Sequence, residues 1–439
     1  MSRTVLVSFI GKGQRANENQ PRSHTGYRTT WYDFTPLGGE PCESALFGLA
    51  LLKYLHSQGQ HPERWIVLGS PQSNWDALLE AIDSNKWHEI ESLYQQVEKA
   101  VREEEKQPSR HGSGFVTAEL LAEWAKALSE YLPSTRVMCH LIGWSYDEAE
   151  QQRLWEILYS ETQQGDHLIL DITHGFRHQP ALTAFMVMLL NRLRNLSGVQ
   201  FYYGARDMTT QGKTPVLKID FISDLVHATE AVATYQETGD YEPLAEFALQ
   251  QEALEQTRRL IFEQRVNKPH FNALQPAASA IQRLQEVDPL RRSLIPLVQR
   301  ELEVLRQQRD LHARLAIQAD KAIKHRNYMV AVPLLWEAIL SLACFLTESG
   351  EPENYQAREN AEQSLIEQPN QYLTDEERSV LRSFREVRNA IVHGTRRSER
   401  TLVKSALEDD NGMRSLYDQA RDIYERLKGF YQRQQEAAR

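Results

Sequence analysis

The chain has 439 residues, more than one hydrophobic core usually serves, so two or more domains are expected. Its formal net charge of −10 argues against a protein that coats nucleic acid along its whole surface. Three widely spaced cysteines indicate neither a disulfide framework nor a zinc knuckle. The sequence shows neither an apolar run that could span a bilayer nor a signal peptide, so we expect the protein in a reducing cytoplasm.

The first half alternates short strand-like runs with helical stretches. Strands are predicted at Thr4–Ile10, Trp65–Leu68, Arg136–Ile142, His167–Ile172, Val199–Tyr203 and Val216–Ile219. Helices are predicted from Pro41 to about His56, within Ser73–Lys106, over Thr117–Tyr131, from about Asp147, and over Arg177–Leu196. This alternation predicts an α/β domain over residues 1–225, built on a parallel sheet with helices on both faces.

The second half is predicted to be almost entirely helical, because strand signals stop after about Asp224. Residues 226–308 are expected to form a helical connecting region, punctuated by Pro269, Pro276 and Pro289. Residues 309–439 are expected to form a helical bundle. Its clearest predicted helices are Lys321–Thr347 and Thr374–His393.

Turns rich in glycine and polar residues follow three of the predicted strands. In open α/β sheets, ligands bind beyond the carboxyl ends of the strands, and a helix N-terminus favours an anion. A nucleotide-type ligand is therefore predicted at this edge, with hydrogen-bond donors from Thr173 and His174 and an Arg177 side chain at a helix N-terminus. Any one of these turns could equally be an ordinary helix cap. The candidate ligand-binding residues are Gly11, Lys12, Gly13, Ser70, Thr173, His174, Gly175, Phe176 and Arg177.

Two other kinds of site are not supported by the spacing of these residues. The Gly11-Lys12-Gly13 turn lacks the third glycine and the downstream acid of a dinucleotide fingerprint, and no Walker lysine–serine pair follows a glycine loop. His174 and His178 stand at i, i+4, which would suit a metal. No zincin-type glutamate or third ligand is evident, so no metal site is predicted.

A second group of chemically active residues lies late in the chain, where Arg388-Asn389-Ala390-Ile391-Val392-His393 ends an amphipathic helix before Gly394. Arg388 and His393 would be about 140° apart on an ideal helix, so they share a face only if the last turn opens. We expect that opening near Gly394, with no carboxylate between the two side chains. An imidazole can then move the proton of a 2′-hydroxyl, and a guanidinium can stabilise charge on a phosphate, without a metal.

Basic residues surround this motif, with few acids near them in the sequence, which predicts a local patch that binds a polyanion. A solvated helix face with a histidine favoured by the helix dipole would explain the motif equally well. The basic residues are Arg378, Arg382, Arg385, Arg396, Arg397, Arg400 and Lys404.

The order of three motifs, Ser8–Gly13, Asp171–Arg177 and Arg388–His393, resembles that of CRISPR-associated CARF–HEPN ribonucleases of type III systems. Lys12 departs from that pattern, since a small Thr or Ser is common at its position. The resemblance implies a Rossmann-like CARF domain over residues 1–225 and an all-α HEPN domain over residues 309–439.

The same resemblance implies a function. The CARF domain would bind a cyclic oligoadenylate across a homodimer axis, and dimers could assemble further. Cyclic tetra-adenylate is the favoured activator and cyclic hexa-adenylate the alternative, with no other cofactor and no membrane partner. The HEPN domain would cleave single-stranded RNA without a metal and leave a 2′,3′-cyclic phosphate, with Arg388 and His393 catalytic and Asn389 in support. Weak cleavage of the cyclic ligand by the CARF domain, through Thr173 and His174, is a further reading.

Other functions remain open at this point. The chain could be a non-catalytic nucleotide sensor whose helical domain binds a partner. A transcription regulator is less favoured, because no helix-turn-helix is evident.

Overall fold

The computed structural model describes residues 2–108, 110–268, 270–308, 310–394 and 398–437. The chain divides into two compact units, Met1–Val226 and His227–Arg439. The first combines a sheet with helices, and every named element after residue 221 is helical. The predicted α/β half followed by an all-α half is thereby confirmed.

An eight-stranded sheet forms the first unit, in the order β3-β2-β8-β7-β6-β1-β4-β5. The last five strands in this order, β7, β6, β1, β4 and β5, are parallel to one another. The strands are β1 (Thr4–Ile10), β2 (Thr30–Asp33), β3 (Cys42–Ser44), β4 (Arg64–Gly69), β5 (Arg136–Leu141), β6 (His167–Asp171), β7 (Gly198–Gly204) and β8 (Lys213–Lys218).

Helices cover both faces of this sheet, as predicted. Side chains alternate between the faces along β1, so Leu6 packs with the core under α1 and α3, and Val7 packs with the core under α4 and α5. The helices are α1 (Phe47–Ser57), α2 (Glu91–Lys106), α3 (Ala118–Tyr131), α4 (Glu148–Glu161), α5 (His178–Arg194) and α6 (Phe221–Thr238), of which α6 continues past Val226.

The edge of the sheet differs from the prediction. β8 is antiparallel to β7 and β3 is antiparallel to β2, so the sheet is mixed. β7 and β8 are joined by a short connection with one 3₁₀ turn, and parallel pairing needs a longer crossover.

The helix predicted from Pro41 begins only at Phe47, because Cys42–Ser44 pairs with β2.

The stretch predicted as helical over Ser73–Lys106 is also only partly α-helical. Two 3₁₀ segments, Trp75–Ala81 and Ser84–Glu89, precede α2. The Asp83 carboxylate accepts a hydrogen bond from the Asn85 N–H, which starts a new segment and interrupts a continuous helix.

The order of connections creates a topological switch point. Among the parallel strands, β4 and β5 follow β1 in the chain and lie on one side of it. The next two strands, β6 and β7, lie on the other side of β1. The carboxyl ends of β1 and β6 therefore flank the crevice where ligands bind in open α/β sheets.

The second unit contains two separate hydrophobic cores, one from Ala228 to Leu302 and one from Leu315 to Leu427. The boundary proposed at residues 308 and 309 falls between them, and the three-part division of the chain stays a prediction. The helices are α7 (Glu242–Ala248), α8 (Gln251–Arg265), α9 (Leu274–Gln282), α10 (Pro289–Arg306), α11 (Leu311–Lys324), α12 (Tyr328–Leu346), α13 (Tyr355–Glu362), α14 (Asp375–His393), α15 (Thr401–Glu408) and α16 (Asp410–Ala437).

Two details of this unit correct the prediction. The helix expected over Lys321–Thr347 is broken between α11 and α12, where Arg326 takes a positive φ of 57°. Pro276 lies inside α9, whereas Pro289 starts α10 as a proline in the first turn should. Pro269 lies outside the described residues.

Helix α12 is long and apolar enough, by length and composition, to cross a membrane, contrary to the expectation from sequence. Its apolar window has a mean hydropathy of 2.1, and 72% of that window is buried. It packs in one core with residues of α11, α14 and α16, as the central helix of a bundle does.

Candidate functional site

The turns predicted to bind a ligand lie together at the carboxyl ends of the strands. A Cβ placed on Gly11 would lie 3.5 Å from the Gly175 nitrogen and 3.6 Å from the His174 Cβ, so the turns after β1 and β6 are in contact. The Gly11 carbonyl accepts the Asn74 N–H at 3.2 Å, which joins the turn after β4. We call this strand-end surface the rim.

Gly13 and Ser70 have structural partners within the rim. A Cβ on Gly13 would lie 2.3 Å from the Asn74 Nδ2, so only glycine allows this close packing on a fully buried side chain. The Ser70 N–H donates to the Ser73 Oγ at 3.0 Å. Lys12, between the two glycines, is exposed and can meet a ligand.

Thr173 is held by the strand beside its own. Its N–H donates to the Asp171 Oδ1 at 2.8 Å, and its hydroxyl accepts the Gly204 N–H at 2.8 Å. The sequence predicted that Thr173 donates a hydrogen bond to a ligand. In the structure its hydroxyl oxygen accepts a hydrogen bond from the protein backbone. The Thr173 side chain also interacts with the Asp171 carboxyl group, so both sides of the hydroxyl have a partner within the protein.

His174 has a different role from the one expected. Its Nε2 accepts the Phe47 N–H at 3.0 Å and so satisfies a donor at the start of α1. Burial, with a contribution from the positive charge of Arg206, lowers its pKa from 6.5 to about 4, so the ring is neutral near pH 7. The proton then resides on Nδ1, which is the atom left to donate to a ligand.

A buried carboxyl group lies directly beneath the rim. Asp171 is 1% exposed, and within the part of the chain that the structure describes its Oδ2 has no hydrogen-bond partner. Burial raises its pKa to about 7. A Cβ on Gly48 would lie 3.3 Å from this Oδ2, so the carboxyl group also faces the first turn of α1.

The turn after β6 ends in an exposed aromatic ring. Phe176 is 45% exposed, and its ring centroid lies 5.9 Å from that of Trp144. Gly175 takes a φ of 88°, and a Cβ there would lie 2.9 Å from the Gln179 Oε1, so glycine is required. Arg177 is exposed immediately before α5, at the predicted helix N-terminus.

Sequence reasoning missed two residues of the rim, Trp144 and Arg206. Trp144 follows β5, and its carbonyl is bonded to the His178 Nε2 at 2.9 Å. Arg206 follows β7 and is half-buried, close enough to His174 to lower the pKa of its ring. The signal was available, because Gly143-Trp144-Ser145 and Gly204-Ala205-Arg206 are also glycine turns after strands. His174 and His178, weighed above as a metal pair, thus each have a protein partner.

The second candidate site lies on α14. Thr374 and Glu377 form a reciprocal capping box at its start, and Phe384 and Val387 face the bundle core. The helix continues through His393, and Gly394 follows with a φ of 90°. The predicted opening of the last turn is therefore wrong. Arg388 and His393 lie on different faces of α14 within one chain.

A carboxylate holds Arg388, which corrects a second expectation. The Arg388 Nη2 donates to the Glu337 Oε1 on α12 at 3.3 Å, and its Nη1 donates to the Asn389 Oδ1 at 3.0 Å. Glu337 also pairs, through its other oxygen, with Arg358 on α13. His393 is exposed at the end of the helix. Neither Glu337 nor Arg358 could be found from the local motif, because each lies on another helix.

The predicted basic patch is also wrong for the residues that the structure describes. Arg385 lies 2.7 Å from the Glu362 carboxylate and 3.0 Å from the Glu367 carboxylate. The other cations have partners as well: Asp375 and Glu386 lie on α14 itself, Glu399 lies close to Lys404 in the sequence, and Glu367 precedes α14. The further pairs are Arg378–Asp375, Arg382–Glu367, Arg400–Glu386 and Lys404–Glu399. Arg396 and Arg397 lie outside the described residues.

Comparisons with known proteins identify the first half. Residues 5–207 match the family model described as "CRISPR system endoribonuclease Csx1, CARF domain". The CRISPR-associated protein MJ1674 of Methanocaldococcus jannaschii is 25% identical over 235 residues, which are 50% of this chain and 34% of that protein. The chain thus matches about a third of the length of that relative.

Among solved structures, Enterococcus italicus Csm6 bound to cyclic hexa-2′-fluoro-hexa-dAMP aligns with 98% of each chain, at 11% identity and a TM-score of 0.36. A TM-score this low does not establish a shared fold. The family match and the relative show that residues 5–207 are similar to the CARF domains of CRISPR-associated proteins, and the resemblance seen in the motifs is confirmed for this half.

Proposed function

We propose that this chain is a cyclic oligoadenylate-activated, metal-independent endoribonuclease that cleaves single-stranded RNA in type III CRISPR antiviral defence, in the cytoplasm. The observation that carries the proposal is the position of Arg388, held half-buried by Glu337 and Asn389, five residues before an exposed His393, in a chain whose first half is similar to CARF domains.

The chemistry follows from these two side chains. The His393 imidazole takes the proton of a ribose 2′-hydroxyl, whose oxygen attacks the adjacent phosphorus. The 5′-oxygen leaves and takes that proton back from the His393 imidazolium, which yields a 2′,3′-cyclic phosphate and a 5′-hydroxyl end. Arg388 stabilises the negative charge that builds on the phosphate oxygens, and Asn389 fixes the guanidinium.

One chain does not unite these groups, because Arg388 and His393 lie on different faces of α14. In a dimer, a cleft at the twofold axis would bring Arg388 of one subunit close to the partner's His393. The catalytic form in this proposal is therefore a homodimer, or a larger assembly built from it.

The rim offers the chemistry that a cyclic oligoadenylate needs. Lys12, Arg177 and Arg206 supply positive charge for phosphates, and the Phe176 ring is exposed for stacking on adenine. The His174 Nδ1 remains as a donor. Cyclic tetra-adenylate is the activator that we favour, with cyclic hexa-adenylate as the alternative. We propose no cleavage of the cyclic ligand at the rim, because the His174 Nε2, which is the basic nitrogen of the neutral ring, already accepts the Phe47 N–H.

An exposed apolar stripe on α5 supports dimerisation of the CARF half. Phe185, Leu189 and Leu193 stand at i, i+4 and i+8 and are 70%, 52% and 55% exposed. The opposite face of α5 buries Val187 and Leu190. Since α5 starts directly after the Thr173–Arg177 turn, a twofold axis along the stripe would place two rims side by side, as a cyclic ligand requires.

The test is RNA cleavage in EDTA by the full chain, with and without cyclic tetra-adenylate or cyclic hexa-adenylate. We expect cleavage only with an activator, and products that end in a 2′,3′-cyclic phosphate. Cleavage that is equal with and without both activators would contradict the sensor role.

The divergence of Arg388 and His393 within one chain favours a second candidate, a non-catalytic sensor whose helical unit binds a partner. The same assay separates the two. Tight binding of the activator without any RNA cleavage would select the sensor.

A further inference from the structure

Among the described residues, each arginine of α14 other than Arg388 is balanced by carboxylate charge. Arg382 and Arg385 share the carboxylates of Glu362 and Glu367, which leaves no net charge among the four. The clusters formed by Arg378 and Arg400 are neutral pairs.

At Arg388 the balance differs. Glu337 is the one carboxylate that pairs with both Arg388 and Arg358 among the described residues. Two guanidinium groups and one carboxylate leave one net positive charge. All three side chains are partly exposed, at 29% for Arg388, 24% for Glu337 and 33% for Arg358. Solvent, and hence a phosphate, can reach this cluster.

Glu337 also limits how Arg388 can move. It accepts from Nη2 while Asn389 accepts from Nη1, so the two terminal nitrogens of the guanidinium are bound at separate points. A planar group held in this way keeps its orientation. Glu337 lies on α12, most of which is buried in the core, so the carboxylate that holds Arg388 belongs to a rigid part of the fold.

Arg358 competes with Arg388 for the Glu337 carboxylate. Burial and the nearby positive charge of Arg388 lower the pKa of Arg358, although the negative charge of Glu362 acts in the opposite direction, so the two cations repel each other across Glu337. Sharing one carboxylate weakens the hold on each cation and keeps the cluster attractive to an anion.

We infer that Glu337 is a positioning residue for RNA cleavage, which orients Arg388 towards the scissile phosphate, and that Arg358 supplies the excess charge that draws the RNA phosphate to it. This rests on the proposed function. RNA phosphate joins the cluster as a second anion beside Glu337, and Glu337 keeps the guanidinium in place while charge develops on the phosphate.

The inference predicts that two substitutions act in opposite directions on kcat and KM. Glu337→Gln keeps the length of the side chain but removes the negative charge. We expect kcat to fall by roughly 10-fold or more, because the guanidinium loses its fixed orientation. We expect KM for a short RNA to fall, because the cluster gains one net positive charge.

Arg358→Gln should do the reverse. Glu337 then pairs with Arg388 alone and keeps it in place, so kcat should stay within about twofold of the wild-type value. KM should rise several-fold, because the excess positive charge is lost. The slope of log KM against log salt concentration should change by roughly 0.7 in opposite directions in the two variants, the value for one charge on single-stranded RNA.

The matched control is Glu367→Gln, which removes a carboxylate from the neighbouring network without contact to Arg388. Its kcat should equal that of the wild type, and its KM should change less than that of Glu337→Gln. Thermal unfolding of each variant shows whether it is folded, and if Glu337→Gln is not, Arg358→Gln decides alone.

Three outcomes would overturn the inference: wild-type kcat in Glu337→Gln, a kcat loss in Arg358→Gln with unchanged KM, or equal effects in Glu367→Gln and Glu337→Gln. Failure of the proposed function looks different. In that case the wild type itself would not cut RNA when the activator is bound, whichever residue holds Arg388.

Discussion

The Arg388 guanidinium lies 3.3 Å from the Glu337 carboxylate, although the two residues are 51 positions apart and on different helices. This contact fixes one of the two side chains to which we assign RNA cleavage. The other, His393, stands exposed at the last position of α14. The arrangement of one anchored cation and one accessible imidazole leads to the first prediction.

Replacing Arg388 or His393 with alanine should abolish RNA cleavage while the fold persists. Each loss should be on the order of 100-fold or more, the usual effect of removing a group that acts on the transition state. Cleavage is measured as initial rate with saturating activator, and ligand binding by thermal shift. Arg382→Ala is the control, because Arg382 lies on the same helix but pairs with Glu367. Undiminished cutting by His393→Ala would rule out the assigned site.

Phe176→Ala should weaken binding of the cyclic activator. Base stacking on an aromatic ring contributes about 1–3 kcal/mol, so we expect a loss of affinity of about 10-fold. Isothermal titration with cyclic tetra-adenylate measures the effect. Phe115→Ala is the control, since Phe115 is 40% exposed in the same unit but plays no part in the rim. Equal affinities of the Phe176 and Phe115 variants would remove Phe176 from the ligand site.

Leu189→Glu should convert the protein to monomers. A carboxylate in the middle of the α5 stripe would have to be buried unpaired in a dimer interface, at a cost of several kcal/mol. Light scattering coupled to size exclusion gives the mass, and we expect RNA cleavage to fall with the loss of dimers. Met208→Glu, at another exposed apolar residue, should remain a dimer. Dimers that survive Leu189→Glu would place the interface elsewhere.

The opposed pKa shifts of Asp171 and His174 predict how stability depends on pH. Burial raises the pKa of Asp171 from 3.8 to about 7 in the folded protein, so its contribution to stability is lost as pH rises through that range. Burial lowers the pKa of His174 from 6.5 to about 4, so its contribution is lost as pH falls through that range. In the wild type the two effects largely cancel between about pH 4 and 6.5.

Single variants should reveal each effect. Relative to the wild type, Asp171→Asn should lose stability on acidification from pH 6.5 to 4, and His174→Gln should gain it. The slopes should approach about 1.4 kcal/mol per pH unit, the value for one proton. Chemical denaturation across this range is the measurement. Parallel curves for both variants and the wild type would show that neither group titrates as described.

The sequence was informative where structure is decided locally. β1 and β6 are short buried runs followed by glycine turns, and α14 begins with a capping box that the residues spell out directly. The edge strands β2 and β3 have only four and three residues, too few for a visible alternation. They exist because β8 and the rest of the sheet give them partners.

The candidate sites show the same limit. The rim could be predicted, since the ends of parallel strands meet wherever the sheet forms. The environment of Arg388 could not, because Glu337 and Arg358 reach it from α12 and α13. The basic patch failed partly for the same reason, because Glu362 and Glu367 precede α14 in the chain but fold against its arginines. The partners Asp375, Glu386 and Glu399, in contrast, are close enough in the sequence to have been recognised.

The central claim is that occupancy of the rim switches on cleavage by the helical unit. The most direct test is the initial rate of RNA cleavage as a function of cyclic tetra-adenylate concentration, for the wild type and Arg206→Ala. If the claim is right, Arg206→Ala shifts the half-activating concentration upwards in step with its weaker ligand binding and reaches the same maximal rate. Cleavage that is independent of the activator in the wild type, or a half-activating concentration that stays fixed while binding weakens, would contradict it.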